Sequence, residues 1–149
     1  MADVLFYHLT ESTLEDALPG LLERSVDRGW RAVVQTGTEE RRDALDARLW
    51  TFRDDSFLGH STDRDAFAAD QPVLLTTGAG NANGADIRFL VDGAEPPDLD
   101  GYKRAVFLFD GHDQAQVDAA REQWKRLKAA SHTVTYWQQT PERRWERKA

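Results

Sequence analysis

Asp92 and Asp110 each stand directly after an apolar run, IRFLV and AVFLF, and each is followed by glycine. A carboxylate at the end of a buried strand can hold magnesium or attack as a nucleophile, which would make the chain a magnesium-dependent α/β hydrolase. Neither has a second aspartate two residues on, and Asp-Gly is equally the chemistry of a tight turn, the preferred reading. His60 with Asp63 and Asp65 could begin a metal site but lacks further ligands close by, and His8, His112 and His132 are scattered. Gly78, Gly80 and Gly84 follow a strand-like run, yet they are spaced GxGxxxG and lead into IRFLVD, another strand. A dinucleotide site needs a helix N-terminus at that point to hold the pyrophosphate. There is no GxxxxGK(S/T), no GxSxG and no cysteine, so phosphate-loop, serine-elbow and thiol chemistry all lack their residues. No assembled catalytic constellation, cofactor or metal site is expected.

Binding chemistry is better represented. Within DQAQVDAAREQWKRLKAAS, spacings of four, three and four place Val117, Arg121, Trp124 and Lys128 within roughly 60° of arc on one helix, with Lys125 beside them. An aromatic between two cations, with an aliphatic neighbour, suits a ligand that is both acidic and apolar. A second surface is LWTFRDDSFLGH at 49–60, whose aromatics exceed what a loop needs. The third is the basic end, where Arg143, Arg144, Trp145, Arg147 and Lys148 could touch single-stranded DNA directly.

The elements that must position these residues follow from periodicity. VLFYHL (4–9) is a strand. Ser12 or Thr13 caps a helix with Leu14, Leu18, Leu21, Leu22 and Val26 inward, Pro19 in an early turn or kink, and Gly29 at its C-terminal end. A strand at 30–35 precedes a helix opened by Thr38, whose inner face is Ala44, Leu45, Leu49 and Trp50. Residues 51–71 read as irregular, 71–77, 87–93 and 105–111 as strands, 113–131 as a helix and 132–139 as the last strand. On the long helix Ala119, Ala120, Leu127 and Ala130 point inward and Trp124 lies at the edge of that face. The class is α/β in three layers, α/β/α, around a mixed or mostly parallel sheet. It is Rossmann-like in layout without a nucleotide-binding loop.

At 149 residues the chain reads as a single domain, 1–149, whose last ~8 residues form a solvated basic tail. Absence of cysteine fits a reducing cytoplasm, MADVLFYHL does not read as a signal peptide, and no apolar run has the ~20 residues of a membrane span. The net charge of −7 is unevenly divided: residues 121–149 carry +5 and the remainder −12. An acidic body argues against wrapping duplex DNA, while a basic end suits a small anionic partner.

FYHL (6–9), RGWRAVV (28–34), LDARLWTFRDDSFLGH (45–60), QPVLLTT (71–77), AREQWKRLKAA (120–130) and VTYWQQ (134–139), followed by RRWERK, resemble the chi subunit of bacterial DNA polymerase III in order and spacing over nearly the whole chain. Gly59 departs from the proline usual before the histidine. The resemblance implies a non-catalytic replication subunit linking the clamp-loader complex, through the psi subunit, to single-stranded DNA-binding protein. Association with single-stranded DNA would then be indirect. That protein's C-terminal tail is acidic and ends in an apolar residue with a free carboxylate. By the resemblance its pocket comprises Arg121, Trp124 and Lys125, with Trp50 and Val117 as apolar wall and Lys128 at its margin. Phe57, with Leu58 and Phe52, matches the surface for psi or for an XPD-like helicase that competes for it. A cytoplasmic, nucleoid-associated location would follow.

Overall fold

Short apolar runs alternating with capped amphipathic segments build a sheet with helices on both faces; the computed structural model describes residues 2–51 and 60–149. In chain order the elements are β1 (Asp3–Leu9), α1 (Leu14–Asp27), β2 (Ala32–Gln35), α2 (Glu39–Thr51), β3 (His60–Thr62), β4 (Val73–Thr76), β5 (Ile87–Leu90), β6 (Arg104–Asp110), α3 (Gln114–Ala129), β7 (Thr133–Gln139) and β8 (Trp145–Arg147). The sheet order is β3-β4-β2-β5-β6-β1-β7-β8, parallel throughout except for the antiparallel β7–β8 pair. The layered α/β class expected from the sequence is the class observed.

Two elements depart from the expectation. His60–Thr62, inside the stretch read as irregular, pairs with β4 as an edge strand. Three residues are too few for a periodic signal. The basic end is no free tail: Trp145–Arg147 pairs with Trp137–Gln139 across a turn in which Arg143 takes a positive φ of 64°.

Residues alternate between two cores. Val4 and Phe6 of β1 and Ala105, Phe107 and Phe109 of β6 face α3, while Leu5, Leu9, Val106 and Leu108 face α1 and α2. That two-sided burial is why AVFLFD is apolar throughout. The face of α3 is completed by the β5–β6 connection, which buries Leu99 and Tyr102 there in place of a helix.

Helix inner faces are partly mis-assigned by the sequence. α2 buries Arg42, Leu45 and Leu49, leaving Ala44 and Trp50 exposed. Arg42 is tolerated inside because Asp43 and Asp63 each accept from it at 3.0 Å. α3 buries Val117, Ala120, Gln123 and Leu127, with Ala119 and Ala130 exposed.

The start of α1 is fastened to the far end of the sheet. The backbone N–H groups of Thr10, Glu11 and Ser12 donate to Gln139 Oε1 at 3.2, 3.0 and 3.0 Å. Thr13 then caps α1 by accepting from Asp16. Pro19 withholds the hydrogen bond owed to the Glu15 carbonyl, and Arg48 Nε donates there instead at 3.3 Å.

Candidate functional site

α3 lies across β6 and β7, and its inward spacing of 117, 120, 124 and 127 brings the Trp124 ring half into the core. The indole meets Phe6 edge-on at 5.6 Å and Tyr136 edge-on at 5.9 Å. Its outer side opens on a groove of about 400 Å³ lined by Arg121, Trp124, Lys125, Tyr136 and Ala149. Arg126 pairs with Glu95 and Lys148 with Glu146, but among the described residues no ion pair is made by Arg121 or Lys125. The groove therefore presents two cations without ion-pair partners among the described residues, beside two aromatic rings and the terminal residue Ala149.

Tyr136 and His8 are the members that sequence reasoning missed. The Tyr136 hydroxyl is 2.6 Å from His8 Nδ1, so the ring is fixed from beneath. Burial raises the Tyr136 phenol above its ordinary value, with Arg121 pulling the other way. Burial lowers His8, and His112 and Arg121 lower it further. The alternation of HTVTYWQQ carried the signal, because it sets Tyr136 and Trp137 on opposite faces, and the β1 pairing puts Tyr136 beside Phe6.

The remaining expected members sit elsewhere or at the margin. Val117 is 9% exposed and belongs to the core rather than to an open wall. Lys128 places its ammonium 5.6 Å from the Trp124 ring centroid and does not line the groove. Trp50 is not brought to it at all: α2 packs on β3 and β4 behind the other face of the sheet, where the indole is 59% exposed and lies 4.6 Å from the His60 ring. The helical periodicity of α2 could not reveal which sheet face it would cover. Phe52, Phe57 and Leu58 lie outside the described residues.

Asp92 and Asp110, the acids that could serve catalysis, both take part in turns. Asp92 has φ 53° in its turn and accepts from Arg41 Nε at 3.0 Å. Asp110 accepts from the His112 amide at 2.8 Å, again a turn bond. Both carboxylates line one cleft of about 370 Å³, with Glu15, Arg41 and His112, and among the described residues no three His, Asp or Glu side chains converge as a metal site requires. Asp63 is held by Arg42 and Thr76, Asp65 accepts from the Phe67 amide, and His60 faces Asp46.

The glycine loop has the wrong polarity for phosphate. The fully buried Arg88 donates to the carbonyls of Gly78 and Gly80 at 2.6 and 2.9 Å, and also to Gln35 and Tyr102. A phosphate cradle offers N–H groups, not carbonyl oxygens drawn onto an internal guanidinium.

A family model described as "DNA polymerase III chi subunit, HolC" matches residues 1–135. A Rickettsia prowazekii protein described as "Probable DNA polymerase III subunit chi" is 24% identical over 91 residues, 61% of this chain and 55% of that protein's length. The chain thus spans little more than half of that relative. A Pseudomonas aeruginosa protein described as "DNA polymerase III subunit chi" is 28% identical over 105 residues, 70% of this chain and 72% of its own. Among solved structures, the C-terminal domain of the DEAD-box protein Dbp5 is similar at TM-score 0.52 and 14% identity, covering 91% of this chain and 90% of that one, a likeness of fold alone.

Proposed function

The chain belongs to the DNA polymerase III chi subunit family, and from that premise we propose that it acts as a non-catalytic adaptor of the replication complex, holding the acidic C-terminal tail of single-stranded DNA-binding protein in the groove along α3. The observation that carries the reading is the half-buried Trp124 flanked by Arg121 and Lys125, neither with an ion pair among the described residues. A free terminal carboxylate can be clamped by the planar guanidinium in two parallel hydrogen bonds. The terminal apolar side chain lies against Trp124 and Tyr136, whose rings are already held in place and lose little freedom on binding. Acidic residues upstream in the tail reach Lys125. Trp50, on the other face of the sheet, has no part in this reading, and Val117 supports the helix from inside.

The clamp-loader side of the adaptor, through psi or a competing helicase, is assigned to the segment of Phe52, Phe57 and Leu58 on family resemblance alone. No helix among the described residues is long and apolar enough to cross a membrane.

The test is a titration of a tail peptide against the intact chain and its Arg121→Ala variant. Loss of charged hydrogen bonds worth about 1.5–3 kcal/mol should weaken binding roughly tenfold to a hundredfold. Equal affinities would sink the groove as the tail's site. Added salt should weaken the wild-type interaction as well, because part of it is charge pairing.

A further inference from the structure

We propose that the opposite face of the sheet, at its β1–β7–β8 edge, is a binding groove for single-stranded DNA. Alternation along the strands turns Tyr7, Trp137 and Trp145 away from α3. Tyr7 and Trp145 stack at 4.4 Å, and Tyr7 meets Trp137 edge-on at 6.5 Å. All three rings are half-buried. Beside α1 run two adjoining clefts that share Leu21 and Arg24. One, about 60 Å³, reaches from Tyr7 across β6 to β5 and includes Arg28, Trp30 and Arg104; the other, about 210 Å³, lies at the edge and includes Trp145, Arg143 and Asp16, while Trp137 and Arg147 stand outside both linings.

The charge of this band contrasts with the acidic body around it. Arg28 and Arg104 lie over the Trp30 ring at 4.1 and 5.3 Å. Arg147, paired in register with Trp137, lies on the same face and donates to the terminal carboxylate of Ala149. Of Arg24, Arg28, Arg104, Arg143 and Arg147, only Arg104 has a side-chain carboxylate within ion-pair distance among the described residues, Asp3 at 3.6 Å, and Arg147 bonds the terminal carboxylate of Ala149 at 3.1 Å. A line of aromatic rings accepts successive bases by stacking, and guanidiniums beside it neutralise the phosphates. A duplex keeps its bases inside and could use only the cations. Single-stranded nucleic acid is therefore the occupant with matching chemistry. The choice of DNA over RNA rests on the replication reading above.

The sequence alone pointed to a basic tail of five residues. The structure changes the composition of the site: Trp145, Arg143 and Arg147 join Tyr7, Trp137 and Trp30 from three other strands or loops, whereas Lys148 bonds its backbone to Tyr136 and pairs with Glu146. The two grooves are separated by the thickness of the sheet, so their occupants need not compete.

Fluorescence anisotropy of a labelled oligo(dT) of about 15 nucleotides, with the intact chain at low salt, tests the proposal. The double variant Arg143→Glu, Arg147→Glu should weaken binding at least about tenfold. The slope of log affinity against log salt should fall by about 1.4, at about 0.7 per lost single-strand phosphate contact. Both arginines are exposed, so the fold does not depend on their charge. Trp145→Ala should cost about tenfold and Trp145→Phe much less. Arg121→Ala should leave strand binding unchanged while weakening the tail peptide, which separates this proposal from the previous one. Absence of binding at low salt, equal binding of a duplex of the same length, or indifference to the double variant would each overturn it. Tighter binding of oligo(U) than of oligo(dT) would overturn the assignment to DNA.

Discussion

His8 sits beneath the groove along α3, its Nδ1 2.6 Å from the Tyr136 hydroxyl. Burial, then His112 and Arg121, hold its imidazole below the ordinary value of about 6.5. A group whose folded state resists protonation contributes its full stability above the ordinary value and loses it as pH falls from there toward the lowered one. Arg121→Ala removes one repelling cation and should raise the His8 midpoint, read by proton NMR of the ring. An acidic peptide seated against Arg121 should move it the same way. A midpoint that stays put in both cases would show that His8 and Arg121 are uncoupled. Arg88 is the other residue whose role is chemical rather than volumetric. It is fully buried and bonded only to neutral acceptors, and burial lowers its pKa. Arg88→Met orphans two glycine carbonyls and the Gln35 oxygen and should cost at least about 3 kcal/mol in urea unfolding. A change under about 1 kcal/mol would mean that water or rearrangement satisfies them.

At the scale of elements, α3 ends in a strained residue. Ser131 has φ 69°, a left-handed conformation, while His132 donates to the Leu127 carbonyl at 3.2 Å to close the last turn. Glycine is the residue suited to that position, as Gly29 is after α1, where φ is 84°. Ser131→Gly should therefore raise stability by about 0.5–1 kcal/mol, seen as a higher melting temperature, and an unchanged or lower one would refute the strain. Elements of this kind were largely legible in the sequence. Thr13, Pro19 and Gly29 punctuate α1, and IRFLV and AVFLF announce buried strands. The inner faces were less so. Arg42 is absent from the inner face read from the sequence because only apolar positions mark such a face there, and Asp63, from beyond the following segment, is what lets it be buried. Ala119 and Ala130 were placed inside because alanine fits either side of a helix. β3 and β8, at three residues each, owe their form to a neighbouring strand edge rather than to their own pattern.

The described sheet is covered on both faces, and which helix covers which face was the information the chain could not display. Arg121, Trp124 and Lys125 share one helix, so their proximity followed from helical geometry. Trp50 and Tyr136 could be assigned only once the sheet order was known. Their fates are opposite: one lies behind β3, the other beneath Trp124. Gln139 acts at this same scale, joining the end of β7 to a loop more than 120 residues earlier. Gln139→Ala would strand three N–H groups and should cost about 2 kcal/mol or more. Inorganic phosphate should restore part of that loss, raising the melting temperature of the variant but not of the wild type, since three converging N–H groups suit an anion. Equal responses of the two proteins to phosphate would show that the emptied cradle does not bind it.

That cradle stands at the carboxyl end of β1, where open α/β sheets commonly receive a ligand. Here an amide of the chain itself occupies it. A bound ligand stabilises a fold only in proportion to how far its concentration exceeds its dissociation constant. Gln139 is covalently attached, so its contribution to the fold does not vary with the concentration of any metabolite.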